Sequence, residues 1–345
     1  MCIPLFTVDI GIDLGTANTL IFNKNKGIIL NEPSVIAVDD STKKVLAVGQ
    51  PAKEMLGRAP DRIRVVRPLQ DGVISDFMMT QAMLREFIRK VMPERSFVSK
   101  TRIVVGVPSG VTGVEKRAVE EVVRNMGAKD VYILDEPMAA AIGVGIDVDA
   151  PVGHMIADIG GGTSDIAIIA LGGIVTNASL RVAGDEMDEA IINYMRRSYN
   201  ILIGDKTAED IKMQVGCIYP GASPEERVSM EAKGRDVLTG LPKAVMVDST
   251  DTLNALEEPI SIIIEGIKNT LENAPPELSA DITNTGVVLT GGGARIKGFD
   301  RLIQQQTGLN VIIADNALEA VAEGTGKSLA DIESLKRYAV REKKY

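Results

Sequence analysis

Two stretches of the chain share one pattern, in which an apolar run is followed by an acidic residue, a turn of small residues and a second apolar run. The first stretch covers residues 9–22 (DIGIDLGTANTLIF) and the second covers residues 155–169 (MIADIGGGTSDIAII). Apolar runs of this length on either side of a glycine turn predict two strands joined as a hairpin. Because the pattern occurs twice, we expect a duplicated fold whose halves face one ligand.

Strand and helix patterns alternate between the two hairpins. Residues 102–108 and 131–134 have the composition of buried strands, and residues 136–143 begin a helix. A further amphipathic helix is predicted at 112–126. Its apolar side is expected to carry Val114, Ala118, Val122 and Val123. This alternation is typical of layered α/β sheets flanked by helices.

The length of 345 residues suggests two domains. We expect domain I to span residues 1–145, with a small subdomain at about 30–70. A C-terminal segment, about 315–345, is expected to return to it. Domain II then covers residues 146–314 and includes an inserted subdomain at about 181–242, where the sequence becomes more polar.

The composition narrows the functional classes. Hydrophobic residues make up 45% and charged residues 25%, as in a globular protein with a substantial core. The net charge of −9 argues against a nucleic-acid partner, which needs a concentrated positive surface. Cys2 and Cys217 have no zinc or redox spacing, and no apolar run approaches the ~20 residues of a membrane span. We therefore expect a cytoplasmic protein.

Glycine-rich turns let backbone N–H groups converge on phosphate, because no side chain blocks the approach. Neither hairpin turn is a GxxxxGK[ST] loop, and neither leads directly into a helix. One such turn alone would be an ordinary β-turn, but two predict loops that clamp a phosphate chain from both sides. The candidate phosphate-binding residues are Gly15, Thr16, Ala17 and Asn18 in the first turn and Gly160, Gly161, Gly162 and Thr163 in the second.

Three acidic residues stand where a nucleotide would need them. Asp13 and Asp158 precede the two turns, where carboxylates would hold Mg²⁺, largely through water. The alternative is that each aspartate caps its own turn. Glu136 lies at a strand-to-helix junction before Pro137, where it would either orient an attacking water or stabilise the helix dipole.

A third glycine turn lies between a predicted strand and a predicted helix, and it offers a flat seat for a base. Its residues are Gly291, Gly292, Gly293 and Ala294. Glu209 and Lys212 share one face of another predicted helix. They would either reach ribose hydroxyls or form an ion pair with each other.

These motifs together resemble the superfamily of actin, sugar-kinase and heat-shock-chaperone ATPases. Nearly the whole chain resembles MreB and its paralogues, through several stretches that have no catalytic reason to be shared. The segments shared with the superfamily are the two hairpins and residues 135–137 (DEP), 184–188 (GDEMD) and 289–293 (LTGGG). The stretches that match MreB and its paralogues are residues 13–19 (DLGTANT), 30–34 (LNEPS), 67–74 (RPLQDGVI), 135–141 (DEPMAAA), 199–204 (YNILIG) and 275–279 (PPELS). The resemblance implies an α/β, actin-like ATPase fold, with duplicated ribonuclease-H-like domains, mixed sheets flanked by helices and a nucleotide cleft between them.

The resemblance also implies ligands and residue roles. ATP or ADP would bind with Mg²⁺, with Asp13 and Asp158 serving the metal and Glu136 and Thr163 handling the attacking water. The residues implied to contact the nucleotide are Gly15, Thr16, Ala17, Asn18, Gly160, Gly161, Gly162, Thr163, Gly184, Glu209, Asp210, Ile211, Lys212, Gly291, Gly292, Gly293 and Ala294. Thr163 is followed by Ser164 and Asp165, where many relatives have a second Thr and then Glu or Asp.

Members of the family polymerise as paired antiparallel protofilaments on the inner face of the cell membrane, with membrane proteins of the cell-wall or shape machinery as partners. The resemblance implies that Phe97 and Val98 lie in a membrane-inserting loop and that Val114 lies on the protofilament-pairing face. The apolar N-terminal segment is either a lead-in to the first strand or a membrane contact. The basic C-terminal tail is either a solvated helix or a membrane contact.

We therefore expect an ATPase that polymerises into membrane-associated filaments and organises bacterial cell shape. Three alternatives remain at this stage: a filament scaffold that scarcely hydrolyses ATP, a motility paralogue, and a small-molecule kinase on the same fold. The kinase would need a catalytic aspartate facing a sugar, and the sequence offers no convincing one.

Overall fold

The computed structural model describes residues 8–91, 101–223, 226 and 228–339. The elements up to residue 143 are, in chain order, β1 (Val8–Leu14), β2 (Asn18–Asn23), β3 (Gly27–Pro33), β4 (Ile36–Asp39), β5 (Val45–Val48), α1 (Gln50–Lys53), β6 (Ile63–Val66), β7 (Leu69–Gln70), β8 (Val73–Ile74), α2 (Phe77–Val91), β9 (Thr101–Val107), α3 (Gly113–Asn125), β10 (Asp130–Asp135) and α4 (Glu136–Gly143).

The chain then repeats the alternation of strands and helices. The remaining elements are β11 (His154–Ile159), β12 (Ser164–Ala170), β13 (Gly173–Leu180), α5 (Gly184–Tyr199), β14 (Ile201–Leu202), α6 (Asp205–Val215), β15 (Ser229–Asp236), β16 (Pro242–Asp248), α7 (Ser249–Glu272), α8 (Pro276–Thr285), β17 (Val287–Thr290), a 3-10 turn (Gly293–Arg295), α9 (Phe299–Thr307), β18 (Val311–Ile313), α10 (Ala320–Ser328) and α11 (Ile332–Tyr338).

Two five-stranded sheets have the same plan. The first sheet has the order β10-β9-β1-β2-β3 and the second has the order β13-β12-β11-β17-β18. In each sheet the central strand, β1 or β11, forms an antiparallel hairpin with the next strand of the chain and runs parallel to a strand on its other side. The expected duplication is therefore present in the strand order, and it places the two glycine turns at equivalent positions.

Continuous apolar sequence explains why the central strands are buried. Every residue of β12 is buried, and the residues of β11 that follow His154 are buried as well. Strands covered on both faces have nearly unbroken apolar sequence instead of alternation. Strands β11 and β12 therefore lie inside the molecule, and the turn between them is the part that can reach a ligand.

Helices α4 and α10 pack together between the two sheets. Their buried residues form one apolar cluster with residues of both sheets, including Val104 of β9 and Ile156 of β11. Helix α10 also contacts β1, β2 and β9. The C-terminal part of the chain thus packs against the first sheet, while the domain boundaries at residues 145 and 314 stay a prediction.

A small three-stranded sheet accompanies each large one. The sheet β5-β4-β6, with α1, follows the first hairpin, and the sheet β14-β15-β16 lies with α5 and α6 in the second half of the chain. These small sheets overlap in part with residues 30–70 and 181–242, for which a subdomain stays a prediction. Their importance for the site is that α1 and α6 come close enough to form an ion pair, described below.

Helix α3 corrects one feature of the predicted pattern. Thr112 caps the helix, because its side chain accepts a hydrogen bond from the backbone N–H of Glu115 while the Glu115 carboxylate accepts one from the Thr112 backbone. The buried residues are Val119, Val122 and Val123, whereas Val114 is 68% exposed. The expectation that Val114 shares the packed side of the helix is therefore wrong.

A helix crosses a membrane only if it is both long and apolar enough. The longest of the described helices, α7, has 24 residues and includes Pro259 in its interior. No helix in the described ranges is long and apolar enough to cross a membrane.

Candidate functional site

The two glycine turns meet face to face between the large sheets. A Cβ atom added to Gly161 would lie 2.6 Å from the Cβ atom of Ala17, and one added to Gly162 would lie 2.6 Å from Oγ1 of Thr16. Only glycine fits at such distances, because any side chain would push the turns apart. The structure therefore brings together the two turns that the sequence singles out.

A third loop closes against both turns. The backbone N–H of Gly72 donates a hydrogen bond to Oγ1 of Thr16 at 3.0 Å. A Cβ atom added to Gly72 would lie 2.9 Å from Cγ2 of Thr163. The β7–β8 turn thus fixes one side chain from each hairpin, and this contact was not foreseen from the sequence.

Asp13 and Asp158 occupy equivalent places, one residue before the end of β1 and of β11. Burial, with repulsion from Asp158, raises the pKa of Asp13 to about 8. Burial also raises the pKa of Asp158 to about 7, although Thr290 donates a hydrogen bond to its Oδ1 at 2.7 Å. Two carboxylates that disfavour each other's charge are the arrangement that a bound cation would relieve.

Glu136 joins the same recess from the start of α4, and it is only 6% exposed. Its pKa lies well above the usual value because of burial, followed by repulsion from Asp165, Asp13 and Asp158. Within the described ranges, no cluster of three or more acidic, histidine or cysteine side chains is placed to hold a metal ion by itself. A cation here would therefore need oxygen ligands from water or phosphate as well.

The start of α5 lies directly on the second turn. The backbone N–H groups of Gly184 and Asp185 donate to the carbonyl oxygens of Gly160 and Gly161, at 3.2 and 2.7 Å. The Lys212 ammonium group donates to the carbonyl oxygen of Gly184 at 2.6 Å. Lys212 thereby ties helix α6 to the start of α5, which itself lies on the second glycine turn.

Glu209 and Lys212 do not pair with each other, so the alternative of an ion pair between them is wrong. Lys212 pairs with Asp188 on α5 at 2.8 Å. Glu209 pairs with Lys53 on α1 at 2.6 Å. Both residues are partly buried, and their contact with a nucleoside stays a prediction. Asp210, between them, is partly buried.

The third glycine turn lies against the end of β11. Gly291 donates from its backbone to the carbonyl oxygen of Ala317 at 2.8 Å, and a Cβ atom on Gly293 would lie 2.5 Å from Cγ2 of Ile159. Gly292 is the exposed residue of this turn. Gly291 and Gly292 are therefore the members that can meet a base.

Two of the residues implied to contact the nucleotide need correction. Ile211 and Ala294 are both 0% exposed and belong to the apolar core of the second half. A side chain without any exposed surface cannot touch a ligand unless its neighbours move. We therefore assign these two residues to the packing beneath the site.

Two ion pairs connect the first small sheet region with the second half of the chain. They are Lys53 with Glu209, at 2.6 Å, and Arg67 with Asp185, at 3.2 Å. Each pair joins residues more than a hundred positions apart in the sequence. Local sequence patterns contain no signal for such contacts. They join α1 and the residue after β6 to helices α6 and α5.

The remaining predicted residues are Phe97, Val98 and Val114. Phe97 and Val98 fall outside the described residues. Val114 is exposed at the beginning of α3. Asp165 and Asp188 belong to the site but carry no role in the sequence reasoning. A signal for Asp165 exists, since it is an acidic residue inside an otherwise apolar strand.

Two sheets of equal plan, joined through α4 and α10 and meeting at paired glycine hairpins, define an actin-like fold. A family model described as MreB/Mbl protein matches residues 7–337. The chain belongs to this family.

Individual relatives support the same family assignment. The cell shape-determining protein Mbl of Bacillus cereus is 49% identical over 98% of this chain and 100% of its own length. The cell shape-determining protein MreB of Escherichia coli K12 is 47% identical over 95% of each chain. Crystal structures of MreB5 of Spiroplasma citri, bound to AMPPNP or to ADP, superpose with a TM-score of 0.90 at 39% identity, covering 96% of this chain and 98% of that one. A chain of the MamK double helical filament shares the fold, with a TM-score of 0.79 at 23% identity over 94% of this chain and 99% of that one.

Proposed function

We propose that the chain binds ATP between the two glycine hairpins and hydrolyses it. The observation that carries this proposal is that both turns and the carboxylates Asp13, Asp158 and Glu136 share one recess. Spiroplasma citri MreB5, which has the same fold at 39% identity, binds AMPPNP and ADP. ATP and ADP are therefore the ligands we assign to this recess.

The backbone N–H groups of the turns at 15–18 and 160–163 bind the phosphates, since no bulky side chain shields them. Glu209 and Lys212 contact the nucleoside from α6. Gly184, to which Lys212 donates a hydrogen bond, lies beside them at the start of α5. Gly291 and Gly292 form the seat of the base. Each of these groups lies on a different element, so a bound nucleotide would connect both halves of the chain.

Mg²⁺ fits the acidic floor of the recess. Asp13 and Asp158 would hold the cation, largely through water, because Mg²⁺ retains several of its waters in proteins. When bound, the cation neutralises phosphate charge that develops during hydrolysis. The mutual repulsion of the two carboxylates supports this assignment.

Glu136 and Thr163 orient the attacking water, one from each half of the chain. Glu136 is held at the start of α4, where Pro137 occupies the first turn of the helix. Thr163 ends the second glycine turn and is buried. A group that positions water is a general requirement of γ-phosphate hydrolysis.

Glu136→Ala should keep ATP binding and lower phosphate release by roughly 100-fold or more. Phosphate release is measured with Mg·ATP, and binding with a fluorescent ATP analogue. Glu189→Ala, an exposed glutamate on α5, is the matched control and should behave like the parent chain. Unchanged phosphate release by the Glu136 variant would remove that residue from the mechanism.

We further propose that the chain polymerises into paired antiparallel protofilaments on the inner, cytoplasmic face of the cell membrane and organises cell shape. Mbl and MreB relatives are named for cell-shape determination, and a MamK chain with this fold is found in a double helical filament. Val114, exposed on α3, is assigned to the pairing face. Phe97 and Val98 are assigned to membrane contact, and membrane proteins of the shape machinery are the expected partners.

A further inference from the structure

Asp165 stands at a position that the fold itself does not require to be acidic. In the second sheet Asp165 lies directly opposite Asp158 in the β11–β12 hairpin. At the equivalent position of the first sheet, Leu20 lies directly opposite Asp13 in the β1–β2 hairpin. Asp165 is 0% exposed and Leu20 is 2% exposed. A buried carboxylate is far less favourable than a buried leucine, so a function must retain it.

The contacts of Asp165 reach across to the first half of the chain. The backbone N–H and the hydroxyl of Ser109 both donate to Oδ1 of Asp165, each at 2.8 Å. Ser109 lies in the loop between β9 and α3. The next residue, Gly110, approaches β13 so closely that an added Cβ atom would lie 2.7 Å from Cβ of Ser179. The loop at residues 109–110 therefore contacts two strands of the second sheet, β12 at Asp165 and β13 at Ser179.

The second carboxylate oxygen of Asp165, Oδ2, is buried and has no such hydrogen-bond partner among the residues that the structure describes. Burial raises the pKa of Asp165, and the nearby hydroxyl groups of Ser179 and Thr163 lower it. Neither hydroxyl group forms a hydrogen bond of standard geometry with Oδ2. After burial, Asp165 is also the largest influence on the pKa of Glu136. It thus neighbours both residues assigned to the attacking water.

We propose that Asp165 is a positioning residue for ATP hydrolysis, which holds the Ser109 loop against β12 so that Glu136 and Thr163 present themselves to the same water. This proposal rests on the ATPase function proposed above. Glu136 comes from the first half and Thr163 from the second, so their separation depends on a rigid link between the halves. Asp165 supplies that link deep in the recess, away from the nucleotide itself.

Asp165→Leu copies the residue found at the equivalent position of the first sheet, so the strand should tolerate it. We expect kcat to fall roughly 10- to 100-fold, because small displacements of reacting groups have effects of that size. The Kd for a fluorescent ATP analogue should remain within about threefold, since both phosphate turns are intact. Asp165→Glu, which retains the carboxylate, should recover part of the lost kcat.

Ser109→Ala tests the link without an altered strand. We expect a smaller fall in kcat, because the backbone N–H of residue 109 still donates to Asp165. Combined with Asp165→Leu, the Ser109 substitution should cause no additional loss, since its partner is already absent. Ser164→Ala is the structural control: it removes a different buried hydrogen bond of β12, from Ser164 to the Val182 carbonyl oxygen, and should leave the ratio of kcat to Kd near that of the parent.

The outcomes separate the two proposals. A parent chain that fails to hydrolyse Mg·ATP would refute the ATPase function itself, and the role of Asp165 with it. An active parent with an equally active Asp165→Leu variant would overturn only the role of Asp165. So would a loss of kcat that Asp165→Glu does not recover and that adds fully to the Ser109→Ala effect, since that pattern indicates general damage to the fold.

Discussion

At the scale of single residues, the recess is built from groups that are unfavourable without a ligand. Asp13, Asp158 and Asp165 are buried acidic residues that lie close enough to raise the pKa of Glu136, which burial raises first. Such clusters of shifted carboxyl groups are characteristic of functional sites. The stability of the empty protein should therefore depend on pH in a defined direction.

The nucleotide-free, metal-free protein should become less stable between pH 6 and pH 8. The pKa of Asp13 is about 8 in the fold and that of Asp158 about 7, both above the ordinary value of 3.8. The folded state therefore keeps protons that the unfolded state has released, and stability is lost as pH rises through the folded pKa values. Thermal unfolding with a chelator present measures this slope.

Asp13→Asn should raise the melting temperature at pH 8 by at least about 2 °C and flatten the pH dependence, because it removes one buried charge of the pair. Asp315→Asn, outside the acidic recess, serves as the matched control. A melting temperature of the Asp13 variant that falls at pH 8, or an unchanged pH slope, would contradict the assignment of a destabilising charge pair.

Much of this residue-scale picture follows from sequence, and its gaps have a physical cause. Asp13 and Asp158 are recognisable because each belongs to a local strand and glycine turn. The role of Asp165 depends on Ser109, 56 positions earlier in the chain, and becomes visible only when the two sheets meet. For Ile211 the sequence predicts too much. It lies between Glu209 and Lys212, which suggests a ligand contact, but the residue is fully buried.

At the scale of elements, local patterns predict where strands and helices lie better than what they pack against. The helix predicted at 136–143 matches α4 and the pattern at 112–126 matches α3, which Thr112 and Glu115 cap. The pattern at 112–126 does not predict the buried face of α3 correctly. It assigns Val114 to that face, although the residue is exposed. The isolated apolar side chain that results, Val114, belongs to the surface.

Val114→Glu should separate paired protofilaments while nucleotide binding stays unchanged. The side chain is 68% exposed, so the substitution leaves the core intact, and an acidic residue near a helix N-terminus is itself favourable. Electron microscopy should then show single in place of paired protofilaments. Leu171→Glu, at a residue 72% exposed on the β12–β13 turn, is the matched control and should retain pairing. Paired protofilaments in the Val114 variant would remove α3 from the pairing face.

At the scale of the whole molecule, the duplicated sheets explain how one ligand can bind both halves. Helices α4 and α10 pack between the sheets, and two ion pairs connect the two halves elsewhere. The repeated hairpin pattern predicts the duplication from sequence alone. The ion pairs escape such reasoning, because Lys53 and Glu209 are 156 positions apart.

Lys53→Met should accelerate nucleotide dissociation by about two- to fivefold. The pair with Glu209 is partly exposed, and pairs of this kind contribute up to about 1 kcal/mol. Stopped-flow release of a fluorescent ADP analogue measures the rate, and added salt should reduce the difference from the parent. Lys43→Met removes an exposed ion pair with Asp40 in the same small sheet region and should leave the rate unchanged. Equal rates for the Lys53 variant and the parent would show that the pair does not retain the nucleotide.

We expect that nucleotide in this recess controls assembly of the chain on a membrane. Electron microscopy of the purified protein on lipid monolayers, with Mg·ATP and without nucleotide, tests it most directly. We expect paired straight filaments with Mg·ATP and far fewer without it. Monomers under both conditions, across a range of protein concentrations, would contradict the claim and leave a soluble ATPase whose phosphate acceptor would have to be sought among small molecules.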